Sequence, residues 1–389
     1  MSETILIAGA SVRGAVDSAV RGDWRPVAAD LFNDQDLHQQ CQAYRIADYP
    51  EQLLPISQQL PSMPWMYTGG LENYPELVDQ VSQRHQLLGN PGSVLRQACD
   101  PFLIQQILTR HDLHFPPIRR DWPEQTTGRW LSKSVHSTGG KGIQWARQPS
   151  DEPLRNAPQE TLEEIYYQQF VPGLCCSGVF LAEQATGRLI GATRQIIGKR
   201  FTRGKPFSYA GSIGLLTLTV EQQATLARIG SVLTGALGLR GLFGVDFVCQ
   251  QDKIWVLEIN PRFPASAEIL DRALGVSLVD FHCQACQDNP VPELPPPHDR
   301  LQYGKAILYA RRPCTITAQC SQAWLAQTSQ IVSPATNHWF WVADIPAAGT
   351  VVPTGSPIIS IMTRGKRIRQ VQRQLIQAAR QVRRECNAW

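Results

Sequence analysis

The chain has 389 residues, 43% hydrophobic and 18% charged, with a formal net charge of +4. That length exceeds one ordinary core and predicts about two or three domains, while the composition excludes a disordered chain. Eight Lys and Arg residues and a single Glu fall between positions 364 and 389, so the positive charge is concentrated in one terminal element and argues against a general nucleic-acid surface.

In chain order, "TILIAG" (4–9) reads as a buried strand, "ASVRGAVDSAVRG" as a turn and helix, and "RPVAADLF" as a second strand reaching Asp30. Gly9, Ser11, Gly14 and Asp30 are spaced like a dinucleotide fingerprint, which would favour a nicotinamide or flavin enzyme. Ser11, however, stands where a side chain obstructs the pyrophosphate, so the motif is weak. No charged leader precedes the first strand, and no apolar run approaches the ~20 residues that cross a bilayer. With ten cysteines, this predicts a cytoplasmic, reduced chain without disulfides. Cys283 and Cys286 form a lone CxxC, too little for a zinc site without a second pair, and Cys175 and Cys176 read as packing residues.

Residues 73–115 read as helical, broken at "GNPGS", followed by a strand, a glycine-rich turn and a strand in "GRWLSKSVHSTGGKGIQWA". A polar loop (147–160) leads to the strand "EIYYQQFVPG", and further strands lie near 177–183 and 188–196. "GKRFTRGKPFSYAGS" (198–212) is basic and without periodicity and reads as a mobile loop. Thr219 and Gln222 fit a capping box for a helix ending at Gly238. "GLFGVDFVCQ" and "KIWVLEINP" form a hairpin across "QQDK", and "NPVPELPPPHDR" is a linker. Residues 301–363 read as short strands and turns, and the last element as a basic helix with Ile368, Val371, Leu375, Ala379 and Val382 on one covered face. The expected division is 1–98, 99–290 and 299–389.

The chemistry concentrates in two places. Gly139, Gly140 and Gly142 sit in a hairpin turn entered by Lys133, and backbone N–H groups in such a turn can surround phosphate oxygens; no helix begins there, so it is not a Walker sequence. Asp246 lies on the strand hairpinned to the one bearing Glu258 and Asn260, three oxygen ligands of the hard kind magnesium takes together with substrate phosphates. Glu258, Asn260 and Arg262 alternate along their segment, so period-two geometry predicts one shared face. Arg262 would then meet an anionic substrate or developing charge.

Together these segments resemble the ATP-grasp superfamily over roughly residues 1–300, with "GVDFV" and "VLEINPR" the most specific part. The resemblance implies an α/β fold with a Rossmann-like pre-ATP-grasp domain, an ATP-grasp domain of two subdomains and a small C-terminal β-rich module. It implies ATP and Mg2+ as cofactors: Lys133 on ATP phosphate, Gly139, Gly140 and Gly142 closing over the triphosphate, Gln169, Phe170 and Val171 lining the adenine pocket, and Asp246, Glu258 and Asn260 on magnesium. Arg194 and Lys199 match by region and charge only. Lys133 and Arg262 are the expected catalytic residues, and His136 in the flap is a turn residue or a substrate contact. The implied activity is a ligase joining a small carboxylate to an amine through an acyl phosphate, within a group similar to the tyramine-glutamate ligases of cofactor biosynthesis, with a homodimer expected. An ATP-grasp carboxylase, biotin-carboxylase-like or purine-type, and a catalytically silent nucleotide-binding protein remain the alternatives.

Overall fold

The computed structural model describes residues 3–123, 128–147, 165–295, 301–329 and 339–385. The polar loop expected at 147–160 lies, beyond Arg147, outside the described residues.

The β-α-β opening is present as the strand Thr4–Gly9, the helix Arg13–Arg21 and the strand Arg25–Asp30. These strands join Gln42–Arg45 and Trp65–Tyr67 in a parallel sheet ordered Gln42–Arg45, Arg25–Asp30, Thr4–Gly9, Trp65–Tyr67. Ile5, Leu6, Ile7 and Ala8 are fully buried, the continuous apolar run that a sheet covered on both faces requires. Because the strand order reverses between Thr4–Gly9 and Trp65–Tyr67, a crevice opens beyond their carboxyl ends.

Helices Pro75–Ser82, Gly92–Ala98 and Pro101–Arg110 follow. Asp100 caps the last by accepting from the N–H groups of Phe102 and Leu103. A four-stranded antiparallel sheet comes next, ordered Ile118–Arg119, Ile165–Gln169, Trp130–Ser134, Gln144–Trp145.

The largest sheet is antiparallel and eight-stranded: Lys253–Asn260, Gly241–Gln250, Leu174–Glu183, Thr186–Ile197, Tyr209–Gly214, Gln302–Tyr309, Pro357–Gly365, Phe340–Ala343. Residues beyond the Pro-rich linker therefore extend the same sheet that carries Asp246 and Glu258. Helix Val220–Leu237 covers one face, with the expected capping box at Thr219 and Gln222 and with Gly238 left-handed at φ 68°. The C-terminal helix Ile368–Glu385 buries Val371, Leu375, Ala379 and Val382 as its stripe predicts, and Ala378 as well.

Two local expectations need correction. The segment read as a mobile loop at 198–212 ends in the strand Tyr209–Gly214, whose Ala-Gly-Ser core lacks the β-branched residues that mark strands. Gly211 is needed there: a Cβ would lie 2.0 Å from the Lys305 carbonyl oxygen. The 301–363 region also contains the helix Ala318–Ser329, which buries Cys320, Ser321 and Trp324 and so shows no long apolar stripe. Cys283 and Cys286, the lone CxxC, lie in the helix Leu278–Cys286, packed in the apolar core.

Candidate active site

The candidate metal ligands owe their arrangement to a bulge. In the hairpin, Asp246 pairs with Glu258 but Phe247 pairs with Val256, leaving Leu257 as an extra residue. Strict alternation would put Glu258 and Asn260 on the face of Ile254 and Val256, which are buried in the core. The bulge shifts the phase, so Ile259 takes the core position and Glu258 and Asn260 turn to the other side. Asp246 stands opposite Glu258 on that side, with the Ser177 and Gln195 side chains near enough to favour its charged form. Burial, reinforced by the charge of Glu258, pushes the Asp246 carboxyl up to about 7. Two facing carboxylates and an amide are what remain for a cation to satisfy; among the described residues no group of three His, Cys, Asp or Glu side chains forms a metal site by itself. The set suits a hard ion that completes its shell with phosphate and water.

Lys133 approaches this set from the four-stranded sheet. Its ammonium lies 3.6 Å from a Glu258 oxygen and donates to the Gln168 side-chain oxygen at 3.3 Å. Burial disfavours the charge, but Tyr166 and Glu258 outweigh it and hold the amine charged. The Gln168 amide nitrogen is buried without a partner, a donor available to a ligand in the cleft beside Lys133. The flap beyond Lys133 turns through Gly139, Gly140 and Gly142 at φ 64°, 77° and 77°, backbone that side chains rarely adopt. Asn73 donates to Thr138 at 2.9 Å, and Tyr209 N–H donates to the Gly139 carbonyl at 3.0 Å. The flap is thus tied to both the helical turn after the N-terminal sheet and the large sheet.

Arg262 enters the crevice of the N-terminal sheet. Its guanidinium donates to Glu72 at 2.9 and 3.2 Å and to the Asn260 side-chain oxygen at 2.8 Å, and it lies against Gly69, where a Cβ would come 3.3 Å from Cζ. Glu72, on a short helical turn after Gly70, is a candidate site residue that the sequence does not single out; an acid in "GGLENYP" carries no spacing signal. Burial works against the Arg262 charge, but Glu72 more than compensates and raises its pKa. Beside this pair the Tyr49 hydroxyl is buried without a partner.

Other expected residues are placed as follows. Phe170 packs edge-on against Trp145 at 5.0 Å, and Trp145 against Phe207 at 5.2 Å, so the hinge segment Gln169, Phe170 and Val171 borders an aromatic wall. Arg194 pairs with Cys176, on the sheet face opposite Asp246, and donates to Gln372 of the C-terminal helix at 3.5 Å; its neighbour Gln195 is on the Asp246 side and favours that carboxylate. Lys199 is exposed, and His136 lies in the flap. Asp30 does not await a ribose: its carboxylate accepts from Val12 N–H at 2.8 Å and from Asn33 N–H at 2.6 Å, and it is fully buried. Arg13, in the same loop, is bound bidentately by Glu268 at 2.7 and 2.9 Å. The fingerprint-like loop is therefore a packing junction.

Lys133, Asp246, Glu258 and Asn260 thus converge below a three-glycine flap, a donor set that fits a magnesium nucleotide. Residues 98–266 match the family described as the ATP-grasp domain. These residues form an ATP-grasp domain. The match spans the flap, Lys133, the hinge, the three metal-ligand candidates and Arg262. Among curated proteins, the chain is similar to the carbamoyl phosphate synthase large chain of Haemophilus ducreyi, 33% identical over 95 residues, which are 23% of this chain and 9% of that one. It is also similar to the formate-dependent phosphoribosylglycinamide formyltransferase of Syntrophotalea carbinolica, 26% identical over 169 residues, 42% of this chain and 41% of the other. The chain thus spans less than half the length of either relative. Among solved structures, N5-carboxyaminoimidazole ribonucleotide synthetase from Thermus thermophilus superposes with a TM-score of 0.68 at 15% identity, covering 97% of this chain and 98% of that one. L-amino acid ligase from Bacillus licheniformis gives 0.67 at 14%, covering 99% and 98%. The biotin carboxylase domain of Hydrogenobacter thermophilus 2-oxoglutarate carboxylase, in complex with MgADP, ADP and bicarbonate, gives 0.71 at 13%, covering 94% and 87%. These likenesses show that nearly the whole chain shares the fold of those structures.

Proposed function

We propose that the protein is an ATP- and magnesium-dependent ligase that joins a small carboxylate to an amine through an acyl phosphate. The observation that carries this reading is the convergence of Lys133, Asp246, Glu258 and Asn260 beside the buried Arg262–Glu72 pair. Bound magnesium nucleotide supplies the phosphoryl group and part of the charge that offsets its transfer. Asp246, Glu258 and Asn260 would hold the metal, and Lys133 the phosphate oxygens. Arg262, fixed by Glu72, Asn260 and the Phe263 carbonyl, keeps one N–H of Nη1, with which a substrate carboxylate would be oriented for in-line attack. The flap excludes water, which would otherwise hydrolyse an acyl phosphate. The amine would approach from the crevice of the N-terminal sheet, where the Tyr49 hydroxyl lacks a partner. Within this class the reading favours an amino-acid or amine ligase similar to the tyramine-glutamate ligases, acting in cofactor biosynthesis as a homodimer.

The test is magnesium-dependent ADP release across a matrix of acids (glutamate, aspartate, alanine, bicarbonate) and amines (tyramine, ammonia, amino acids), with products read by mass spectrometry. ADP and an amide appearing together for one pair, both abolished by Glu258→Ala, support the reading. ADP with bicarbonate and a carboxylated amine makes the protein a carboxylase instead, and ATP binding without ADP from any pair favours a silent nucleotide-binding protein.

A further inference from the structure

We propose that the protein carries a second anion site, remote from the metal ligands, that takes a small molecule bearing a pyrophosphoryl or longer polyphosphoryl group. Three chain segments meet there. The Thr202 carbonyl accepts from Tyr309 N–H at 2.9 Å, which brings the 200–205 segment beside Arg311 and Arg312. Arg383 of the C-terminal helix donates to the Phe201 carbonyl, which adds the end of that helix with Arg380 and Arg383. The result is a group of five guanidinium side chains, Arg203, Arg311, Arg312, Arg380 and Arg383. Among the described residues none of them is in an ion pair with a carboxylate. The nearby Glu385 is hydrogen-bonded to Gln381 at 2.9 Å instead.

An ordinary solvated basic face keeps its charges apart or interleaves acids. Here like charges are gathered. Arg203 has its pKa lowered by burial and by Arg311 and Arg312, and Arg383 is brought down to about 10 by burial and by Arg203 and Arg380. The Nε of Arg383 is buried without a partner. Arg203 holds a left-handed backbone, φ 62°, a conformation uncommon for a long side chain and concentrated at ligand-binding segments. Planar guanidinium forks gathered in one patch match tetrahedral phosphoryl oxygens, and five of them exceed what a single phosphate monoester neutralises.

The position gives such a site a route to the catalytic cleft. The segment that begins with Arg203 runs directly to Phe207, whose carbonyl oxygen would lie 2.2 Å from a Cβ on Gly140, and to Tyr209, whose N–H donates to Gly139. An anion that fixes Arg203 against Arg311 and Arg383 therefore holds the shelf on which the flap rests.

The test is equilibrium dialysis of radiolabelled inorganic pyrophosphate against the full chain, with and without saturating MgADP. Wild type should show binding that survives MgADP, and Arg203→Gln/Arg383→Gln should weaken that fraction roughly tenfold or more, the loss expected for removing charge-assisted hydrogen bonds. Arg311→Gln/Arg312→Gln, at exposed positions, should do the same without changing thermal stability, which guards against a folding defect in the first variant. The same protocol with tripolyphosphate and with ATP distinguishes an inorganic polyphosphate from a nucleotide as the source of the group. Absence of MgADP-resistant binding, or resistant binding unchanged in both variants, overturns the proposal. So does an equally tight complex with a short single-stranded RNA that both variants lose, since that marks a nucleic-acid surface. If MgADP itself does not bind, the ligase reading fails and the dialysis with the two variants still decides this one.

Discussion

The Glu72 carboxylate and the Arg262 guanidinium meet at 2.9 Å with side-chain exposures of 6% and 9%, and they join the crevice of the N-terminal sheet to the end of the strand that carries Glu258 and Asn260. Glu72→Ala strands a buried cation and should cost about 3–5 kcal/mol of stability. Glu72→Gln keeps a hydrogen-bond acceptor and should cost less while lowering ligase turnover. Urea unfolding of both variants beside ADP release checks the order; equal stability of Glu72→Ala and wild type would refute it.

The Asp246 carboxyl, raised to about 7 by burial and by Glu258, should couple magnesium to protons. In the metal-free protein the folded state binds the extra proton, so this group stabilises the fold below the unfolded value and loses that contribution as pH rises toward 7. Magnesium, which needs the carboxylate, should bind more weakly at pH 6 than at pH 8 and release protons near neutrality. Calorimetric titration in two buffers of different ionisation enthalpy measures that release, which Asp246→Asn should abolish.

His282 should give an opposite slope on the acid side. Its Nδ1 accepts from Leu242 N–H at 2.8 Å, its Nε2 meets the Leu88 carbonyl at 2.9 Å, and burial lowers its pKa to about 4. The folded state keeps the ring neutral while the unfolded chain protonates it near 6.5. Stability is therefore complete above that value and falls as pH drops from 6.5 toward 4, by roughly 3 kcal/mol. Denaturant unfolding at pH 7.5 and pH 4.5 should show that fall, and it should shrink in His282→Gln.

Gly140→Ala tests the flap. The new methyl would sit 2.2 Å from the Phe207 carbonyl oxygen on backbone at φ 77°, so the flap cannot seat as it does now. Water should then reach the intermediate, and ADP released per amide formed should rise above the wild-type ratio. An unchanged ratio would show that the flap does not guard the reaction.

Much of this was legible in the sequence because the signals were local. The capping box at Thr219 and Gln222, the apolar stripe ending at Val382 and the hairpin bearing Asp246 and Glu258 each follow from short-range periodicity or capping chemistry. The bulge at Leu257 was not legible, since alternation alone predicts a phase that only the cross-strand register corrects. Nor was the pairing of Arg262 with Glu72, 190 residues apart in sequence, because no spacing rule connects residues whose neighbourhood is created by two sheets docking. Asp30 has the spacing of a ribose ligand, but its actual partners, Val12 and Asn33, lie in turns whose geometry the residue names do not encode.

The eight-stranded sheet does not stop where the family match stops. Tyr209–Gly214 has Thr186–Ile197 on one side and Gln302–Tyr309 on the other, so residues 98–266 excised alone would expose a raw backbone edge in the middle of a sheet. Such edges recruit other chains. The matched segment is thus a unit of descent but not a unit of folding: it should be inherited and exchanged together with the C-terminal strands that close it, and expressed without them it should aggregate.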